Sequence, residues 1–187
     1  MSYLTTPSQT VGPYFAIGLP WPTGPFAVAP DSPGSIKITG IVYDGAGEPI
    51  LDSLLEIWGA DGDGNFADLW GYGGPSRVAG FRGFARFGEE GGDGSFEFVT
   101  LKPGPIRLAD GVVLAPHLDL NLFARGMLRH VVTRIYFADE PVANAADPIL
   151  ARVPAERRDT LIATPTADGY ALDIRVQGPG ETVFFAV

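Results

Sequence analysis

Residues 116–123 read "PHLDLNLF", and their alternation decides the fold class. Successive side chains of a strand point to opposite faces, so His117, Asp119, Asn121 and Phe123 share one face and Leu118, Leu120 and Leu122 the other. A run with one polar and one apolar face predicts a half-buried strand.

Working outward, segments rich in β-branched and aromatic residues recur on both sides of it. Before it stand "SIKITGIVYD" (35–44), "DSLLEIWGAD" (52–61), "FRGFARFG" (81–88) and "SFEFVTL" (95–101). The run itself belongs to "VLAPHLDLNLFARG" (113–126), and "HVVTRIYFAD" (130–139), "YALDIRVQG" (170–178) and "ETVFFAV" (181–187) follow. Gly, Pro and Asp clusters separate them, so the pattern predicts an all-β, two-sheet β-sandwich of about eight strands. Helical candidates are few and short, around Pro141–Ala146 and Ala155–Asp159. Residues 1–34 are rich in proline and lack periodicity, which predicts an irregular N-terminal arm leading into a sandwich domain over 35–187.

The composition supports this reading. With 25 Gly and 17 Pro among 187 residues, turns are many and long helices few. There are no cysteines, which excludes a disulfide framework and thiolate metal sites; a cytoplasmic location is expected. No apolar run has the length of a membrane span, and no basic segment precedes one, so neither membrane insertion nor a signal peptide is expected. The net charge of −9, with 13 scattered Lys and Arg, argues against nucleic acid as a partner. Against that negative background a single arginine able to favour a small anion becomes informative, and Arg125 is such a residue.

Four patterns bear on chemistry. "DGDGNF" (61–66) begins like a calcium loop, but Phe66 stands at the sixth position, where glycine is required, and Tyr72 at the twelfth, where glutamate is required; a tight Asp/Gly turn is expected. "GYGGPS" (71–76) lacks the spacing of a phosphate cradle. No GxSxG occurs, and His117 and His130 are the only histidines available as a base. On "PHLDLNLF", His117 and Asp119 form either half of a metal site or part of a polar face satisfied by hydrogen bonds. A fifth stretch, "TPSQTVGPYF" (6–15), combines the hydroxyls of Thr6, Ser8 and Thr10, a Gly12–Pro13 turn and the rings of Tyr14 and Phe15. That is specific chemistry for a chain end, where slack is usual.

"TPSQTVGPYF", "GIVYDGAGEPI", "LEIWGADGDGNF", "TLKPGP", "APHLDLNLFARG", "TRIYF" and "DIRVQGPGETVFF" together resemble the intradiol ring-cleaving dioxygenase family, almost end to end. The resemblance implies an enzyme that inserts both atoms of O2 into protocatechuate, opening the ring between its hydroxylated carbons to give 3-carboxy-cis,cis-muconate, a step of aromatic degradation in the β-ketoadipate route. The family's catalytic chains hold Fe(III) with two tyrosines and two histidines. Here the matching positions carry Phe66, Ile106, His117 and Asp119, so one ligand of four is kept. The resemblance is therefore to the alpha-type chain of a two-chain member, with the ferric iron held by a homologous beta chain, none by this chain, and several alpha-beta units assembled into a larger oligomer. It also implies that Thr10, Gly12, Pro13 and Tyr14, with Arg125, form a wall of the beta chain's substrate pocket. A self-contained β-sandwich metal module or enzyme using His117, Asp119 and a third ligand is the rival expectation.

Overall fold

The computed structural model describes residues 4–67, 76–88 and 92–186. Tyr72 and the glycines of "GYGGPS" lie outside the described residues. Two short helices are formed, α1 (Tyr14–Gly18) and α2 (Pro141–Ala146). The strands are β1 (Ser35–Tyr43), β2 (Leu54–Gly59), β3 (Phe84–Gly88), β4 (Ser95–Leu101), β5 (Ile106–Arg107), β6 (Val113–Leu114), β7 (His117–Phe123), β8 (Val131–Phe137), β9 (Ile162–Pro165), β10 (Gly169–Ala171) and β11 (Ile174–Arg175).

The all-β expectation stands, but the two-sheet sandwich is corrected. β9, absent from the expected strands, pairs its first half in parallel with β8 through Ile162 and Ala163 and its second half antiparallel with β10 through Thr164 and Pro165. This handover links β4, β1, β11 and β10 to β8, β7, β2 and β3 in one nine-stranded, nearly closed, barrel-like sheet. β5 and β6 form a small second sheet. A strand of four residues carries too little alternation to be seen in sequence.

Other boundaries shift for local reasons. The segment 113–126 breaks between β6 and β7 at Ala115 and Pro116, where proline has no N–H to give a ladder. The segment 170–178 divides into β10 and β11, and between them the Asp173 carboxylate accepts from the Ile41 amide. "ETVFFAV" makes a single bridge, Phe185 to Val132, rather than a strand. Pro141–Ala146 is helical as expected, and Ala155–Leu161 forms 3-10 turns. The arm is less irregular than expected: α1 buries Phe15 and Ala16 against Leu54 and Phe123. Farther along, Phe26 bridges to Val99, and Ala27 and Val28 enter the core.

From Leu118 onward the alternation of β7 is kept in the burial, while His117 at its start is buried as well. Leu118, Leu120 and Leu122 are fully buried with Ile38, Leu55, Ile57, Phe96, Phe98, Ile135 and Phe137. Each such side chain contributes about 1.5–3 kcal/mol when removed from water. The opposite face of β7 is thereby fixed outward, and it carries the candidate site. Among the described residues no helix is long and apolar enough to cross a membrane.

Candidate functional site

At the start of β7 His117 is buried, and its Nδ1–H donates to the Ala115 carbonyl at 2.7 Å. Burial, and after it the nearby Arg134 guanidinium, lowers the imidazole pKa, so the ring stays neutral with its proton on Nδ1. Nε2 lies 3.9 Å from Asp119 Oδ1. Asp119 is not free: Arg134, its cross-strand neighbour on β8, donates from Nε to Oδ1 at 2.8 Å. Behind His117 the Tyr136 hydroxyl donates to the buried Asp147 at 3.2 Å, and burial pushes that phenol up to about 12. Asp147 also accepts from the amides of Ala115, Ile149 and Leu150, so one carboxylate fixes the backbone that holds His117.

Ile106 and Phe66 are placed differently. Ile106 is buried on β5 with Ala60, Leu114 and Ile149, a hydrocarbon cluster backing the same end of the sheet. Phe66, the last residue of "DGDGNF", is a ring 45% exposed. That turn is the Asp/Gly turn expected: Asp61 is buried and accepts from the amides of Asp63 and Asn65, and Gly64 takes φ +79°. Its carboxylate is spent on backbone rather than on a cation. Neither His117 nor His130 is hydrogen-bonded to a hydroxyl among the described residues; His130 stacks on Phe123 at 5.0 Å.

These residues do not fit ferric iron. Phe66 and Ile106 are hydrocarbon, and of the remaining pair the Asp119 carboxylate already neutralises a guanidinium, which leaves the His117 imidazole as the one free donor of the four. A metal cation would have to displace or repel Arg134. The described residues contain no group of three or more metal-ligating side chains.

The second set of residues gathers at the other end of β7, roughly 20 Å along the strand by its rise of ~3.3 Å per residue. There Thr10 Oγ1 accepts from the Gly126 amide at 2.8 Å, tying the arm to the turn that carries Arg125. Gly12 takes φ +72°, which an L side chain rarely adopts. Pro13 caps α1, and Tyr14 points away from the face that buries Phe15, being 79% exposed. Arg125 lies 3.0 Å from Asp52 Oδ2 as an ion pair, without an aligned hydrogen bond, and is 65% exposed. Val11, Leu128 and Phe123 line an adjoining groove, and Val11, Ile17 and Leu128 are exposed apolar side chains. The fold thus brings Thr10, Gly12, Pro13, Tyr14 and Arg125 to one end of the molecule and His117 and Asp119 to another.

The family model described as Dioxygenase matches residues 11–178. The chain belongs to this dioxygenase family. The protocatechuate 3,4-dioxygenase alpha chain of Burkholderia cepacia is 45% identical, with 97% of each chain covered. The beta chain of that name from the same organism is 29% identical, over 79% of this chain and 66% of that one. Among solved structures, catechol 1,2-dioxygenase from Pseudomonas arvilla C-1 shares the fold with a TM-score of 0.62 at 19% identity, covering 82% of this chain and 55% of that one.

Two residues of the cluster around His117 escape the reading of sequence alone. Arg134 stands inside the quoted "TRIYF", where a charge within an apolar strand is a signal, but its partner depends on the β7–β8 register. Asp147 stands in the loop after α2 and is fully buried; nothing local marks it as a hub.

Proposed function

We propose that this chain is the alpha-type, iron-free subunit of a protocatechuate 3,4-dioxygenase, working with a homologous beta chain that holds the Fe(III). The reaction takes up O2 and places one oxygen atom on each of the two hydroxylated carbons as the bond between them breaks, so protocatechuate becomes 3-carboxy-cis,cis-muconate with all atoms retained. The observation that carries the proposal is the 45% identity to an alpha chain over 97% of both chains. The Asp119–Arg134 pair supports an iron-free role, since a guanidinium occupies the carboxylate that an iron would need.

In this reading the arm acts outside its own chain. Thr10, Gly12, Pro13 and Tyr14 would line the beta chain's substrate pocket, and their separation from His117 and Asp119 supports use by a partner rather than by this chain. Gly12 and Pro13 fix a turn with little entropy left to lose, and Tyr14 offers an apolar ring with a polar tip. Arg125 would favour the carboxylate that distinguishes protocatechuate from catechol. The exposed Val11, Ile17 and Leu128 would be covered by the beta chain. Residues 1–34 form the lending arm and 35–187 the domain that carries it, in several alpha-beta units per cytoplasmic oligomer.

The test is to express the chain alone and with a beta-type chain, then measure iron, visible absorbance and oxygen uptake with protocatechuate. A colourless, inactive chain that joins a coloured, active complex is expected. Stoichiometric metal held tightly by the chain alone would overturn the reading.

A further inference from the structure

Between α1 and the core the chain runs through "GLPWPTG" (18–24), in which Pro20 and Pro22 have no N–H to give, so a strand ladder cannot hold it. Side chains hold it instead. Arg86 of β3 donates from Nη1 to the Leu19 carbonyl at 3.3 Å and from its own amide to the Gly24 carbonyl at 2.8 Å, and its guanidinium lies 5.3 Å from the centre of the Trp21 ring. Its Nε donates at 2.8 Å to Oε1 of Glu56, its cross-strand neighbour on β2, and both side chains are largely shielded from water. A guanidinium is a rigid fork, so seating one edge on Glu56 fixes where the other edge reaches. Beyond Gly24 the backbone is locked to the sheet, with Pro25 and Ala27 hydrogen-bonded to Val99 of β4. On the other side Leu19 is the C-cap of α1, and its amide returns to the Phe15 carbonyl. Wherever Arg86 sets Leu19, the short helix that begins at Tyr14 follows.

We infer that Arg86 is a positioning residue for the substrate-pocket wall: seated on Glu56, it sets where α1 leaves the domain and so where Pro13 and Tyr14 stand. This rests on the proposed function for what Pro13 and Tyr14 do, whereas the tie between Arg86 and the arm belongs to the chain by itself. A displaced wall alters the fit of the ring whether or not it bears a carboxylate, so the effect falls equally on protocatechuate and catechol, unlike that expected of Arg125.

Two variants test it: Arg86→Met, and Arg86→Met combined with Glu56→Gln, in which no shielded carboxylate is left without its cation. In the chain alone, amide hydrogen exchange should quicken by at least about tenfold over residues 14–24, as for a lost charge-assisted hydrogen bond, while β7 and β8 exchange as in the parent. In the alpha-beta complex, KM for protocatechuate and for catechol should rise together by about tenfold, with kcat changed less. In a Tyr14→Ala background the same substitutions should raise KM no further, because residues that act through one another are not additive. Exchange unchanged over 14–24, exchange faster throughout the sheet in both variants, or a KM effect that adds in full to that of Tyr14→Ala would each overturn the inference. A KM raised by Tyr14→Ala but not by Arg86→Met would overturn it and leave the proposed function standing, and no KM effect from either would overturn the arm's role as a wall as well.

Discussion

Asp119 and Arg134 face each other in register across β7 and β8, joined from Nε to Oδ1 at 2.8 Å. Under the proposed function this is the position at which an iron-binding chain would present a second imidazole, and here it presents an anion already matched by an internal cation. Asp119→His is therefore expected to leave the chain without stoichiometric iron, because Phe66 and Ile106 supply no phenolate and Arg134 remains. Metal analysis after exposure to ferric salt checks this; a full equivalent of iron would contradict it.

His117 links this site to pH. Its pKa is lowered in the folded chain by burial and by Arg134, against the opposing pull of Asp119 and Asp147, while the unfolded chain protonates near the ordinary value of about 6.5. The unfolded state thus binds the proton first as pH falls, so this group's contribution to stability is complete above that value and is lost on acidification toward the folded pKa. The limit for one proton is about 1.4 kcal/mol per pH unit. Urea unfolding between pH 7.5 and 5 should be steeper in pH for the parent than for His117→Asn, and parallel curves would remove His117 from the account.

Asp147 carries more of the local stability than its position suggests. Asp147→Ala would leave the amides of Ala115, Ile149 and Leu150 and the Tyr136 hydroxyl without their acceptor in a buried site. A loss of about 3 kcal/mol or more is expected from unsatisfied buried donors. Asp147→Asn, which keeps one oxygen, should lose less; equal losses would mean that volume rather than hydrogen bonding is at stake.

Arg125 bears on specificity under the proposed function. In the alpha-beta complex Arg125→Ala should raise KM for protocatechuate more than for catechol, by a difference of about 1.5–3 kcal/mol if the contact is shielded from water and less if it is wet. Steady-state oxygen uptake with both substrates measures it, and equal shifts would restrict Arg125 to its ion pair with Asp52.

Gly12 tests the arm itself. A Cβ added there meets nothing within 4 Å, so the cost of Gly12→Ala comes from φ +72° alone, about 1 kcal/mol. Because Gly12 is outside the core, the melting temperature should fall by no more than about 2–4 °C while KM of the complex rises. A melting temperature lowered by many degrees would mean that the arm is part of the fold's cooperative unit.

Much of this protein is written locally. "PHLDLNLF" determines that Leu118, Leu120 and Leu122 face the core, because alternation follows from the geometry of a single strand, whereas the burial of His117 on the opposite face comes from the packing around it. "DGDGNF" determines its turn through Asp61 and Gly64. That Phe66, Ile106 and Asp119 stand where, under the proposed function, an iron-binding chain would carry ligands is also legible residue by residue, as is the unusual chemistry of "TPSQTVGPYF". What sequence could not supply are relationships between distant segments. β9 closes the sheet by pairing with different partners along its four residues, α1 forms because Phe15 and Ala16 find Leu54 and Phe123, and Arg134 reaches Asp119 only through the register of two strands. Thr10 meets Gly126 by a contact spanning most of the chain. Local alternation fixes which way a side chain points, but only the packed sheet fixes what it points at.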